Sequence, residues 1–208
     1  MVIDRLHYIT QDIVGVDHAD LAEKACQGGA KWIVLRAPRK SYKELKPLAE
    51  RVLLICRKFG AVCIINANVM LAKEIGADGV QLGVDDMPVD QARAILGDGA
   101  IIGGAANNVS EIIECQELGA SYVYVGPFSY THSKYRHMNT LGFQGCREIV
   151  FKMNQNNISI PVLAKGGIEI DDVPFITAIG LYGVAVSTAI SSGDLMENTL
   201  DFIEEVNK

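Results

Sequence analysis

Positive charge is in short supply: 19 Lys and Arg stand against 25 Asp and Glu, a formal net charge of −6. That balance argues against a surface built to hold nucleic acid or anionic membrane, and an anionic ligand would need a local cationic pocket. Long hydrophobic runs are missing, and nothing approaches the ~20 apolar residues of a spanning helix. The N-terminal stretch has no basic segment leading into an apolar core, so no secretory leader is expected. The five cysteines, Cys26, Cys56, Cys63, Cys115 and Cys146, are odd in number and show no C-x-x-C spacing. Reduced thiols and a cytoplasmic location are the expectation, and no metal-binding cluster of His and Cys is present. No G-x-G-x-x-G follows the first strand-like segment, which counts against a dinucleotide fold.

What is present is apolar and periodic. Hydrophobic residues make up 49% of the 208 residues, enough for one domain, 1–208, with a large core. A helix-like stretch, a small-residue break and a short apolar run recur, with breaks at Gly29-Ala30, Gly76-Ala77, Gly119-Ala120 and Gly180-Leu181. Glycine ending a helix just before a buried strand is the chemistry of αβ loops. Strands are predicted over 3–10, 31–36, 61–66, 79–82, 100–104, 122–126, 161–165 and 182–187. Helices are predicted over 18–27, 42–58, 69–75, 89–96, 110–118, 144–153, 172–179 and 195–206. Strict alternation implies a parallel sheet, and eight units of this length suit an α/β fold of the (β/α)8 TIM-barrel type. A doubly wound open sheet is the alternative.

In such a barrel the chemistry sits beyond the strand C-termini. Two of these turns, Lys165-Gly166-Gly167 and Val186-Ser187-Thr188, follow the last two strands. Backbone amides beside a helix N-terminus there suit a phosphate dianion, although glycine in an ordinary tight turn reads the same way. The longest predicted loop, 126–141, carries Thr131, His132, Ser133, Lys134, Tyr135, Arg136 and His137. Loops of that length are often functional lids. Arg36, Lys40, Lys134, Arg136 and Lys165 would place positive charge at one mouth of an acidic protein, or be solvated surface charges.

At these loops the chain resembles the thiamine phosphate synthase family and its sister group, the TenI-type thiazole tautomerases. The matching stretches are Ile64-Ile65-Asn66, 76–83 (GADGVQLG), Asp85-Asp86-Met87-Pro88, Gly126-Pro127, Thr131 with Ser133-Lys134, Leu141-Gly142, Gly166-Gly167-Ile168 and 183–187 (GVAVS). Their order and spacing carry the resemblance over nearly the whole chain. It implies a barrel enzyme of thiamine biosynthesis whose Gly166-Gly167 and Val186-Ser187 turns hold the phosphate of a thiazole phosphate. Arg36, Asn66, Gln81, Thr131, Ser133 and Lys165 are the further substrate-binding candidates, and Asp86 is the metal candidate.

The departures bear on the reaction. The synthases join a pyrimidine pyrophosphate to the thiazole phosphate with Mg2+. Their second strand ends Gln-Leu-Arg-Glu-Lys, where this chain has Val34-Leu35-Arg36-Ala37-Pro38. Arg36 alone keeps register, with Arg39 or Lys40 as a stand-in for the Lys. Their third strand ends Asn-Asp-Arg, its Asp on Mg2+; here it is Asn66-Ala67-Asn68, and alanine cannot ligate a hard cation. Ala105-Ala106 replaces a Ser-Thr pair. These losses favour a TenI-like tautomerase, which moves a proton and needs no pyrophosphate site. Gln81 fits the TenI pattern, whereas Pro127 stands where those enzymes carry their catalytic His. His132, with Lys134 beside it, is then the expected catalytic pair, since histidine titrates near neutrality. The alternatives are a synthase, which would bring Mg2+, and a non-catalytic binder of a thiamine intermediate. The expected partner is a small phosphorylated heterocycle, with no nucleic acid and no membrane, and homo-oligomerisation is left open. His7 and His18 read as buried or helix-start residues, and the cysteines as packing.

Overall fold

The structure, a computed structural model, describes residues 2–130 and 140–208. Its strands are β1 (Leu6–Ile9), β2 (Trp32–Leu35), β3 (Val62–Asn66), β4 (Gly79–Gln81), β5 (Ile101–Ala106), β6 (Tyr122–Val125), β7 (Val162–Lys165) and β8 (Gly183–Val186). They run parallel in sequence order and close into a barrel, β8 returning to β1 with Tyr8 opposite Val186. The helices are α1 (His18–Gln27), α2 (Tyr42–Phe59), α3 (Val69–Ile75), α4 (Val89–Leu96), α5 (Val109–Glu117), α6 (Gly142–Gln155), α7 (Val173–Ala178), α8 (Thr188–Ser191) and α9 (Leu195–Val206). The expected barrel therefore forms, and the open sheet is excluded.

Local chemistry sets the element boundaries. Asp17 caps α1 by accepting the Ala19 amide, and Ser41 with Glu44 closes a capping box on α2. Gly60 and Gly76 end α2 and α3 in the left-handed region. Three boundaries differ from the sequence expectation. β1 starts only at Leu6, whose amide is taken by the Asp4 carboxylate in a local turn. β5 runs on to Ala106, because 103–106 pair with 122–125 rather than opening into a loop. A one-turn α8 intervenes after β8, so the final long helix is the second after that strand.

The alternation along each strand sorts two cores. Ile33, Leu35, Val123 and Val125 face outward under the helices. Trp32, Val34, Ile64, Ile101, Tyr122, Tyr124, Leu163 and Ala185 fill the barrel. His7 joins them, fully buried and stacked on Trp32 at 4.3 Å between ring centroids with the planes 8° apart. Its Nε2 lies 3.0 Å from the Asp4 carbonyl, which can only accept, so Nε2 carries the hydrogen. Nδ1 is then the acceptor, and the Tyr124 hydroxyl donates to it at 2.6 Å. Burial holds the His7 pKa well below its ordinary 6.5 and raises that of Tyr124 well above its ordinary 10.0. Gly103 makes room for this layer, since a Cβ there would collide with the Gln81 amide and the Tyr122 ring.

Two outcomes follow from that interior. His7 is neutral when folded and protonates more easily unfolded, so it contributes stability above about pH 6.5 that is lost as pH falls toward its folded pKa. Urea unfolding between pH 7.5 and 5 should show wild type losing up to about 1.4 kcal/mol per pH unit more than His7→Gln in that window. Parallel pH profiles would contradict a buried neutral histidine. Gly103→Ala should overpack the layer and lower stability by about 1–3 kcal/mol, read from the same urea midpoints.

Candidate active site

The C-terminal ends of the strands open on one cavity of about 960 Å3, near the top of the roughly 300–1,000 Å3 typical of small-molecule sites. Its rim carries Arg36 and Lys40 after β2, Asn66 to Asn68 after β3, Asp86 after β4, Lys165 to Gly167 after β7, and Val186 to Thr188 after β8. Tyr124 and Gln81 form part of its floor. Nine residues singled out from the sequence thus line one cavity: Arg36, Asn66, Gln81, Asp86, Lys165, Gly166, Gly167, Val186 and Ser187. Thr131, His132, Ser133 and Lys134, with Tyr135, Arg136 and His137, lie outside the described residues.

The turn after β7 is shaped by close packing. Gly166 has φ 92° and Gly167 φ 64°, and a Cβ on Gly167 would lie 2.6 Å from the Tyr130 carbonyl oxygen. The Ser129 amide donates to the Gly166 carbonyl at 2.9 Å, and Phe128 to Lys165 at 2.8 Å. The strip 127–130 is therefore laced to this turn, and the two glycines are required for packing whatever they bind. Beside them Ser187 precedes α8, and its hydroxyl makes no capping bond to that helix. Lys165 projects from the end of β7 with its Nζ 6.0 Å from the Tyr124 ring centroid. A dianion here would meet backbone turns, a hydroxyl and an ammonium group.

Gln81 has a task that composition alone does not suggest. Its Nε2 donates to the Leu82 and Gly104 carbonyls, both at 2.9 Å, so the side chain ties β4 to β5. Its Oε1 is buried and has no hydrogen-bond partner among the described residues. The Asn66 Nδ2 donates to the Gln81 carbonyl at 2.9 Å, bracing the neighbouring strand end.

The metal wall is thin. No three His, Cys, Asp or Glu side chains converge on a point among the described residues. Asp86 and Glu169 are the carboxylates on the cavity lining, and one oxygen of Asp86 already accepts the Gly83 amide at 2.6 Å. Ala67 holds φ 69°, left-handed backbone that alanine rarely adopts and that Asp and Asn tolerate better. Its amide donates to the Gln81 carbonyl at 3.0 Å, which fixes that posture. The side chain at this left-handed position is a methyl group.

Sequence reading missed several wall residues. Tyr124 sits two residues after Tyr122 in an alternating strand, a signal that could have placed it inside. Gln11, Tyr130 and Glu169 also line the cavity and left no such trace.

Comparison with known proteins agrees with this geometry. The family described as "Thiamine monophosphate synthase" matches residues 6–190. A thiamine-phosphate synthase of Flavobacterium johnsoniae is 40% identical over 92% of this chain and 90% of its own length. One from Phocaeicola vulgatus is 40% identical over 89% of each chain. A solved thiamine phosphate pyrophosphorylase from Pyrococcus furiosus superposes with a TM-score of 0.85 at 28% identity, covering 98% of this chain and 95% of its own. A match that spans the barrel, with relatives at this identity over nearly their full length, makes the chain a member of the thiamine monophosphate synthase family and an enzyme of thiamine biosynthesis.

Proposed function

We propose that this chain is itself a thiamine-phosphate synthase, joining a pyrimidine pyrophosphate to a thiazole phosphate, rather than the TenI-like tautomerase favoured by its sequence departures. The observation that carries this reading is one large cavity with cationic groups on separated walls, Arg36 and Lys40 after β2 and Lys165 after β7. Two anionic substrates need two such grips and the space for both, whereas a tautomerase with one phosphorylated substrate needs one. The 40% identical relatives named as synthases support the same reading.

In the reaction the carbon–oxygen bond to pyrophosphate breaks and the pyrophosphate leaves with the electron pair. The thiazole nitrogen supplies the pair for the new carbon–nitrogen bond. Neither step needs a proton carrier, so His132 has no assigned duty here. Arg36 and Lys40 would hold the departing pyrophosphate, and the turns at Gly166-Gly167 and Val186-Ser187 with Lys165 would hold the thiazole phosphate. Asn66 would brace the β3 wall, and Thr131, Ser133 and Lys134 would add contacts from the segment after β6. Mg2+, when bound, neutralises charge on the pyrophosphate. Asp86 would hold it together with substrate oxygens, a fit Mg2+ accepts because it is commonly bound by one or two carboxylates plus phosphates and waters. The absence of a carboxylate at Ala67 makes that grip weak without substrate.

Steady-state assay with both substrates should give thiamine phosphate, dependent on Mg2+. Conversion of a thiazole carboxylate phosphate with no coupling would restore the tautomerase reading, and binding without turnover would support a non-catalytic binder. Ala67→Asp should reduce the Mg2+ concentration for half-maximal rate on the order of tenfold, equivalent to about 1.4 kcal/mol. Ala67→Gly should raise the unfolding free energy by about 1 kcal/mol by relieving left-handed strain, with the Mg2+ requirement unchanged. An unaltered Mg2+ requirement in Ala67→Asp would show that position 67 does not face the metal.

A further inference from the structure

A hydrogen-bonded group lies just behind the mouth and outside the cavity wall. The His18 side chain is 4% exposed at the start of α1, between the end of β1 and the loop after β2. Its Nδ1 lies 2.8 Å from the Thr10 hydroxyl, and its Nε2 lies 3.0 Å from one Asp12 oxygen. Thr10 is fully buried, and its hydroxyl oxygen accepts the backbone amide of Arg36 at 3.1 Å. The other Asp12 oxygen faces Arg39 Nε at 3.6 Å. One imidazole thus reaches the loop 36–40 by two arms, through Thr10 to the Arg36 backbone and through Asp12 to the Arg39 side chain.

The protonation of the ring is constrained at one end. Asp12 can only accept, so His18 Nε2 bears a hydrogen. With the ring neutral, the Thr10 hydroxyl donates to Nδ1 while its oxygen accepts from Arg36. With the ring charged, Nδ1 donates to the same oxygen, which has a second lone pair. Both arms hold in either state, so the arrangement acts as a brace.

We infer that His18 is a positioning residue for the pyrophosphate-binding loop, holding Arg36 and Arg39 in place through Thr10 and Asp12. The inference rests on the synthase reading for the identity of the anion. Ala37 and Pro38 after Arg36 carry no charge, so Arg36, Arg39 and Lys40 are the cationic groups that loop 36–40 can offer an anion. A loop with fewer grips depends more on being held in one shape before the anion arrives, since ordering it on binding would cost affinity. The hydrogen bonds and ion pairs of the His18, Thr10 and Asp12 side chains run toward the loop after β2, and only Gln11 between them meets the turn after β8, at Thr188, so the larger effect should fall on one substrate.

The two arms can be cut separately. His18→Asn keeps an amide near the Nδ1 position and can still meet Thr10. His18→Gln reaches the Nε2 position and can still meet Asp12. His18→Ala cuts both arms, and Thr10→Val cuts only the first. The expected result for His18→Ala is a rise of about tenfold in KM for the pyrimidine pyrophosphate, the scale of one lost hydrogen bond at the loop. KM for thiazole phosphate and kcat should stay within about twofold, with partial recovery in His18→Asn and His18→Gln. Calorimetry with inorganic pyrophosphate and Mg2+ gives a readout that needs no turnover, and its affinity should weaken in the same order. If wild type makes no thiamine phosphate, the synthase reading fails, and the pyrophosphate affinities alone then judge the brace. Equal affinity in wild type and folded variants overturns the inference, as does wild type that binds no pyrophosphate. A parallel loss of both KM values and kcat that tracks melting temperature would leave His18 as a packing residue only and also overturns it. Should His18→Ala not fold, Thr10→Val and His18→Gln decide the same question.

Discussion

Pairing of β8 with β1 is the constraint on which everything else depends. Once the sheet closes, each strand has two faces with different fates, and every strand end on one side is brought to a common mouth. Closure also fixes how little room the interior has. Glycines occupy points where neighbouring backbone would otherwise collide: Gly79 against the Ile101 carbonyl and Gly183 against the Arg5 carbonyl. The aromatic layer of His7, Trp32, Tyr122 and Tyr124 packs flat rings among the branched aliphatic side chains of Val34, Ile64, Ile101 and Leu163. The same layer supports the cavity floor, because Tyr124 belongs to both.

The mouth inherits its asymmetry from that floor. On one side the turns after β7 and β8 are packed against the strip 127–130 and leave little freedom. On the other, the loop after β2 spans exposed residues and is tied down by side chains beneath it. The close-packed turns and the loop held from beneath thus border one cavity.

Much of this was legible in the residues, for reasons that differ by element. The alternation of helix and strand periods gave the barrel, since a parallel order leaves few other closed arrangements. Helix ends were legible where a glycine or a capping residue marks them, as at Gly76 and Asn68. β5 was read too short because 103–106 is all glycine and alanine, with no β-branched signal; pairing with β6 supplies the order that propensity does not. Gln81 was read as a substrate contact from the family resemblance; it lines the cavity, and its amide nitrogen turns to the Leu82 and Gly104 carbonyls, a fact only the fold can show. Ala67 was read as a lost ligand, and its left-handed backbone has no sequence signature in alanine. The tautomerase preference came from the side chains lost together at the ends of strands 2, 3 and 5. Relatives at 40% identity and the two-sided cavity weigh the other way. His18 passed as a helix-start residue because both of its partners precede it by fewer than ten residues and only the turn of the chain brings Arg36 to Thr10.

The stacking of His7 on Trp32 has an optical consequence. Trp32 is the sole tryptophan, so all indole fluorescence comes from the centre of the barrel and none from the mouth or the helices. Its neighbours are an imidazole face at 4.3 Å and the Tyr122 edge at 5.5 Å, and it is shielded from water. The chain therefore carries a built-in lamp at its axis. Its colour reports whether the tube is closed.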